Sequence, residues 1–314
     1  MPAASVIVPA RNAEATIGRT LAGLATQRLE VGFEVIVVDD GSTDATAELA
    51  CASTLKPLVV VADGAGPAAA RNAGAAVARG AALAFVDADC EPEPGWLAAG
   101  LAALEAADLV QGTVRPPDAV RIGPFDRTIW VLREHGLYET ANLFVSRALF
   151  DRLGGFESWL RPGRGIELGE DVWFGWRARR AGARVDYCAE AVVRHAVFQR
   201  DAVGYVAERA RLRYFPHMAA RIPELRKVFF YRRLFLNRRA AVFDVAVAAA
   251  AFSVARRSPY ALVAAAPYLR LLTSHALRDG LRRSPIVGLV DLAADSVGLM
   301  ALAGGSLEAR SLLL

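Results

Sequence analysis

Short apolar runs alternate with amphipathic ones over the first hundred residues. Residues 5–9 are apolar and β-branched, and residues 13–26 carry Ile17, Leu21 and Leu24 at helical spacing. Residues 33–38, rich in Val and Ile, read as a strand buried on both faces. That run ends in DDGSTDAT, where Ser42, Thr43 or Asp44 can cap the next helix. Residues 58–61 predict a third strand, residues 67–79 an alanine-rich helix opened by Gly66-Pro67, and residues 81–86 a fourth strand. Strands and helices joined by short connections predict right-handed crossovers and a parallel, doubly wound sheet. Ligands of such sheets sit beyond the carboxyl ends of the strands. Pro9-Ala10-Arg11, Asp39-Asp40-Gly41 and Asp87-Ala88-Asp89 all fall at such ends, so three polar clusters are expected to meet on one edge.

The pattern then changes twice. From residue 109 to residue 195, short strands, glycine-rich turns (Gly154-Gly155, and Gly163 to Gly169) and a helix over residues 171–181 predict a mixed extension of the sheet. Residues 240–255, 260–272 and 286–302 are apolar segments between arginine-rich joints. A bilayer-spanning helix needs about 20 apolar residues. The first two segments are short, and the second reaches Arg270. The third carries Asp291 and Asp295 one turn apart on one face, each costing a few kcal/mol at a bilayer centre. Interfacial helices, or helices packed on one another, are therefore favoured over true spans.

Composition sharpens this picture. The chain has 314 residues, 54% hydrophobic and 22% charged, which excludes disorder and supplies a sizeable core. A mean hydropathy of +0.28 is high for a simple soluble enzyme and points to membrane contact. The net charge of +4 is unevenly spread: residues 200–239 hold 11 Lys/Arg against 3 Asp/Glu. Such a stretch suits anionic lipid or a phosphorylated acceptor. Nucleic acid is not expected as a partner, because no zinc spacing, basic zipper or aromatic ribonucleoprotein motif accompanies the charge. Cys51, Cys90 and Cys188 form neither a disulfide framework nor a metal spacing, which fits a reducing compartment. No basic region followed by an apolar one opens the chain, so no secretory signal is expected.

Four motifs carry chemistry. In VDADC, residues 86–90, two carboxylates two apart end a buried strand and make an oxygen site for a hard cation. Alone, this is a common pattern and reads equally as two solvated aspartates. Asp39 and Asp40 end another strand beside a helix start, where a carboxylate can accept from a ribose hydroxyl or a base N–H. Arg71, in GPAAARNAG, can reach a phosphate or be an ordinary surface arginine. Glu170-Asp171 opens an amphipathic helix bearing Trp173, Phe174 and Trp176; acids there serve the helix dipole, or act as a general base. His195, like His135, His217 and His275, reads by default as a packed or surface histidine.

Taken in order, SVIVPARNAE, VIVVDDGSTDAT, GPAAARNAGAAVARG, LAFVDADC, TANLFVSRALFDRLGGFE and GEDVWFGWRARRAG resemble the inverting glycosyltransferases of family 2, over roughly residues 4–196. The resemblance implies a GT-A type, Rossmann-like mixed α/β sheet flanked by helices. It implies catalysis by Asp171 with Glu170, and nucleotide-sugar binding by Pro9, Arg11, Glu14, Asp39, Asp40, Arg71 and Asp87. It implies Mn2+ or Mg2+ held by Asp89 with Asp87 and His195, and an acceptor side at Asn142, Gly155 and Trp173. The Q-x-x-R-W motif of processive members is missing; the corresponding stretch, residues 208–217, reads ERARLRYFPH.

The expected organisation is a catalytic domain over residues 1–200, with a nucleotide-sugar half to about residue 110 and an acceptor half beyond it. An apolar and basic helical region follows over residues 201–314. The expected activity is non-processive transfer from a nucleotide-diphosphate sugar to a hydroxyl of a cell-envelope glycan or lipid-linked acceptor. The expected location is cytoplasmic, peripheral at the inner face of the cell membrane. Three roles for the C-terminal helices stay open on sequence grounds: spanning, lying on the membrane, or homo-oligomerisation. The rival readings are a sugar nucleotidyltransferase, disfavoured because PARNAEAT has no glycine, and a non-catalytic nucleotide-sugar-binding scaffold.

Overall fold

The computed structural model describes residues 2–30, 32–160, 167–277, 280 and 284–314. Gly163 lies outside the described residues. The chain forms two compact units, residues 1–120 with 128–197, and residues 121–127 with 198–314.

The first unit is a mixed sheet with flanking helices. In chain order it contains β1 (Ala4–Ala10), α1 (Ile17–Ala25), β2 (Phe33–Asp39), α2 (Thr46–Ala52), β3 (Leu58–Val61), α3 (Pro67–Val77), β4 (Ala82–Phe85) and β5 (Cys90–Pro92). Then follow α4 (Trp96–Leu104), β6 (Leu109–Arg115), β7 (Leu143–Ser146), α5 (Arg147–Leu153), α6 (Glu170–Arg180) and β8 (Val185–His195). The strand order is β3-β2-β1-β4-β7-β6-β8-β5. β3, β2, β1 and β4 are parallel, and β7 pairs antiparallel with both β4 and β6. The interiors of β1, β2 and β4 are buried along their length, as near-continuous apolar runs require. Gly74 lets α3 lie close on the sheet: a Cβ there would stand 2.6 Å from Ile7 Cγ2 and 3.0 Å from Val38 Cγ2.

Two local expectations shift. The first helix begins at Ile17 rather than residue 13, because Asn12 adopts φ +50° and residues 13–16 close a turn in which Thr16 N donates to Ala13 O. No side chain caps α2 at Ala45. Ser42 Oγ instead accepts from Asn12 N, and the Asp44 carboxylate accepts from Glu14 N and Thr46 N. These side chains stitch the loop after β1 to the loop after β2.

The second unit is helical: α7 (Ala202–Glu208), a 3₁₀ segment (Arg209–Tyr214), α8 (Phe215–Arg221), α9 (Leu225–Val228), α10 (Arg238–Arg256), a second 3₁₀ segment (Pro259–Ala265), α11 (Ala266–Leu277) and α12 (Ser284–Ala309). The apolar stretch expected over residues 260–272 is thus divided between a 3₁₀ segment and a helix. Residues Pro285–Ala309 are long and apolar enough to cross a membrane by length and composition. Yet the two aspartates that burden that segment have partners within the unit. Asp291, fully buried, accepts from Tyr205 Oη (3.2 Å), meets Arg239 Nη2 (3.2 Å) and lies 2.6 Å from His275 Nδ1. Asp295 is held by Arg239 (2.8–3.0 Å) and by Tyr268 Oη (2.9 Å). Pairing and hydrogen bonds of this kind offset the desolvation cost of a buried carboxylate.

Candidate active site

Because β1, β2 and β4 are parallel neighbours, their carboxyl ends bring residues 9–11, 39–40 and 87–89 to one edge of the sheet. Asp39 and Asp40 are both buried. Asp39 Oδ1 accepts from Ser42 N (3.3 Å) and Asp40 Oδ2 accepts from Gly66 N (3.0 Å). Asp40 Oδ1 is buried with no hydrogen-bond partner among the described residues, an acceptor whose burial is costly until something donates to it. Arg11, half exposed, lies 4.0 Å from Asp40. Glu14 Oε2 accepts from Ala45 N (3.1 Å), and Pro9 sits near the end of β1 opposite Val38.

Arg71 is not the surface residue that an isolated arginine would be. Its side chain is 7% exposed and bridges two carboxylates, Glu170 Oε1 at 2.8 Å and Asp87 Oδ1 at 3.2 Å. Both terminal nitrogens are therefore engaged by protein. The guanidinium thus links the strand-end aspartate to the first residue of α6, which lies 99 positions from Arg71 in sequence.

The Asp87-Ala88-Asp89 segment is a tight turn in which Cys90 N donates to Asp87 O (3.0 Å). Thr20 of α1 donates its hydroxyl to Ala88 O (2.9 Å), and Ala196 N donates to Asp89 O (2.8 Å). His195, at the end of β8, has a buried side chain whose Nε2 lies 3.6 Å from Asp89 Oδ2. Its Nδ1 lies 2.6 Å from Ala196 O and 3.2 Å from Thr128 Oγ1. A proton on Nδ1, given to that carbonyl, leaves the Nε2 lone pair toward Asp89, the tautomer a metal ligand needs. Burial, and then the charge of Asp87, raise the Asp89 carboxyl above its ordinary range. Such crowding of carboxylates beside an imidazole nitrogen favours a cation, so the residues present fit a divalent metal. Asp89, Cys90 and His195 each offer one ligand atom, all within 4.8 Å of one another. Cys90 was not expected from sequence; burial, then Asp89, push its thiol well up.

Asp171 stands in the first turn of α6, with Oδ1 accepting from Val172 N (2.7 Å). Burial raises its carboxyl well above the ordinary range; the Glu170 charge adds to this, Arg71 opposes it, and Glu139 adds again. Glu139 is a second residue that sequence reasoning missed. Burial pushes it up to about 7, its Oε1 lies 3.3 Å from His135 Nε2, and its Oε2 is buried with no hydrogen-bond partner among the described residues. It precedes the TAN motif by one position, in a polar stretch that gives no hint of burial.

The acceptor-side residues divide. Asn142 is fully buried and wholly used by the fold: it accepts from Trp96 Nε1 (2.8 Å) and donates to Thr113 O (2.8 Å) and Ala191 O (2.7 Å). Direct contact with an acceptor is not open to that side chain. Gly155, at φ +76°, lies under Asn72, whose Oδ1 would stand 2.5 Å from an added Cβ. Trp173 is partly exposed, and its Nε1 donates to Glu157 Oε2 (2.8 Å).

A mixed α/β sheet with acids gathered at its carboxyl edge is the architecture of a GT-A glycosyltransferase. The model described as Glycosyl transferase family 2 matches residues 5–156. The chain is 30% identical over 210 residues to the glycosyltransferase AglE of Haloferax volcanii, covering 62% of this chain and 67% of that one. It is 28% identical over 209 residues to the pre-mycofactocin glycosyltransferase of Mycobacterium tuberculosis, covering 61% of this chain and 42% of the relative. Among solved structures it is similar to the mannosyltransferase PcManGT of Pyrobaculum calidifontis in complex with GDP-Man and Mn2+ (TM-score 0.58, 21% identity, 98% of this chain and 88% of that one). It is also similar to S. aureus TarS 1-349 in complex with UDP-GlcNAc (TM-score 0.52, 17% identity, 99% and 93%). The chain belongs to glycosyl transferase family 2.

Proposed function

We propose that this chain is a metal-dependent, inverting, non-processive glycosyltransferase that moves a sugar from a nucleotide-diphosphate donor to an acceptor hydroxyl. The observation that carries it is the Asp87–Arg71–Glu170 bridge. It ties the strand-end aspartate of the donor side to the residue next to a half-buried carboxyl, Asp171. The nucleotide-sugar complexes of PcManGT and TarS support a nucleotide-sugar donor, and the Mn2+ of the former supports a divalent metal.

Pro9, Arg11, Glu14, Asp39 and Asp40 form the nucleoside side, with Asp40 Oδ1 the acceptor left open for a hydroxyl or N–H of the donor. Asp89 and His195, with Asp87, would hold Mn2+ or Mg2+; when bound, such an ion neutralises the diphosphate leaving group. Arg71 holds Asp87 and Glu170 in register rather than meeting the diphosphate freely, since both its terminal nitrogens are engaged. Asp171 takes the proton of the acceptor hydroxyl. The acceptor oxygen bonds the anomeric carbon as the bond from that carbon to the diphosphate oxygen breaks, so configuration inverts without a covalent sugar–enzyme intermediate. A base with a raised pKa is well matched to neutral conditions. Trp173 shapes the acceptor entrance, Glu170 positions the start of α6 through Arg71, and Asn142 and Gly155 act through packing.

The acceptor class we propose is a cell-envelope glycan or lipid-linked hydroxyl, met with the enzyme peripheral at the inner face of the cell membrane. Exposed apolar residues of the helical unit support it: Val245, Phe252 and Val254 on α10, and Leu289, Met300 and Leu307 on α12.

Asp171→Asn is expected to lower transfer by about three orders of magnitude while leaving donor binding intact. Turnover by nucleotide-diphosphate release, with donor affinity by calorimetry, checks this. Full activity in the variant would remove Asp171 from the chemistry, and binding without release by the wild type would favour the scaffold reading.

A further inference from the structure

Cys90 follows the aspartate turn directly and has no role in the mechanism above. In the antiparallel β5–β8 ladder its Cα partner is His195. Residues directly opposite one another in such a ladder present their side chains on the same face, with Cβ atoms about 5 Å apart. Asp89 joins the two: its Oδ1 lies 3.7 Å from Cys90 Sγ and its Oδ2 lies 3.6 Å from His195 Nε2. One ligand atom from each of Asp89, Cys90 and His195 lies within 4.8 Å of the others; Asp89 and Cys90, but not His195, also line a cavity of about 100 Å³. The ladder fixes two of the three ligands, and the Ala196 carbonyl fixes the imidazole tautomer.

We propose that Cys90 supplies a sulfur ligand beside Asp89 and His195, so that the metal site of this chain is a mixed oxygen, nitrogen and sulfur centre that takes Zn2+ and Co2+ more tightly than Mg2+. This rests on the reading that Asp89 and His195 hold the metal. Carboxylate and water ligands suit hard ions such as Mg2+ and Mn2+, whereas a thiolate draws softer ones. The Sγ–metal bond forms as the thiol proton passes to the buffer. Cys51 is exposed, and Cys188 lies beside Ala99 O and Glu190, outside the cluster.

The full chain, freed of metal, is titrated with Co2+ alone and followed by the thiolate-to-cobalt charge-transfer absorption; Zn2+ and Mg2+ affinities come from calorimetry. The wild type is expected to develop the band. Cys51→Ser and Cys188→Ser keep it, and Cys90→Ser loses it, with Zn2+ affinity falling by about tenfold or more and Mg2+ affinity changing little. Cobalt binding without the band, or a band that survives in Cys90→Ser, overturns the Cys90 assignment alone. No cobalt binding by the wild type overturns both that assignment and the metal site. Should Cys90→Ser fail to fold by circular dichroism, Cys90→Ala and the wild-type spectrum still decide.

Discussion

In the proposed mechanism Asp171 is the base, and its surroundings set the pH at which it can work. A base must be deprotonated, and burial with the Glu170 and Glu139 charges raises its carboxyl while Arg71 opposes the rise. Activity is therefore expected above that raised pKa and expected to be lost as pH falls through it. Removing one neighbouring negative charge, by Glu170→Gln or Glu139→Gln, is expected to move the acid limb of the kcat/KM profile to lower pH; an unmoved limb in both variants would separate the limb from Asp171. The sequence displayed this residue, because GED at a helix start is a local pattern. It did not display how Arg71 or Asn142 is used. Arg71 meets a carboxylate 99 positions away, and the carbonyls that consume the Asn142 amide lie 29 and 49 positions away. A motif reports residue identity, but only folding decides whether a polar group faces the cleft or the core. Cys90 escaped for the same reason: its partner His195 is a neighbour only across the β5–β8 ladder.

At the scale of elements, the periodicity of the first hundred residues was legible because each strand is a compact apolar run with a turn signal on either side. The register of β7 between β4 and β6, and of β5 against β8, was not, since antiparallel partners far apart in sequence leave no local trace. The placement of α6 was also hidden. Tyr138 sits at φ +56°, unusual for a bulky residue, and packs fully buried against this helix. Trp176 Nε1 donates to Gly136 O (2.9 Å), and Arg179 meets both Tyr138 Oη and Glu134. A Cβ on Gly175 would stand 2.0 Å from the Tyr138 ring. Gly175→Ala is thus expected to destabilise the fold by about 1–3 kcal/mol. Because α6 carries Asp171 in its first turn, kcat is expected to fall more than donor affinity. Unchanged thermal stability and unchanged kcat would show that α6 does not depend on this contact.

For the whole molecule, composition and the apolar C-terminal third announced a helical appendage, but not the pairing that neutralises Asp291 and Asp295. Their partners Tyr205, Arg239, Tyr268 and His275 come from three helices other than α12. This pairing lets α12 pack within the helical unit, and apolar side chains such as Val254 of α10 and Leu289 of α12 are left exposed; the membrane role proposed above would use them. In sedimentation with anionic vesicles, Val254→Asp with Leu289→Asp is expected to weaken binding of the full chain at least severalfold. Unchanged sedimentation with loss of a dimer by light scattering would assign that face to self-association. The central claim, a nucleotide-diphosphate site completed by a divalent metal, is tested most directly by the thermal shift of the full chain with a panel of nucleoside diphosphates, with and without Mn2+. Stabilisation by mass action is expected for a particular diphosphate only when Mn2+ is present, and is expected to vanish in Asp89→Ala; equal stabilisation with and without Mn2+, or its survival in that variant, would contradict the claim.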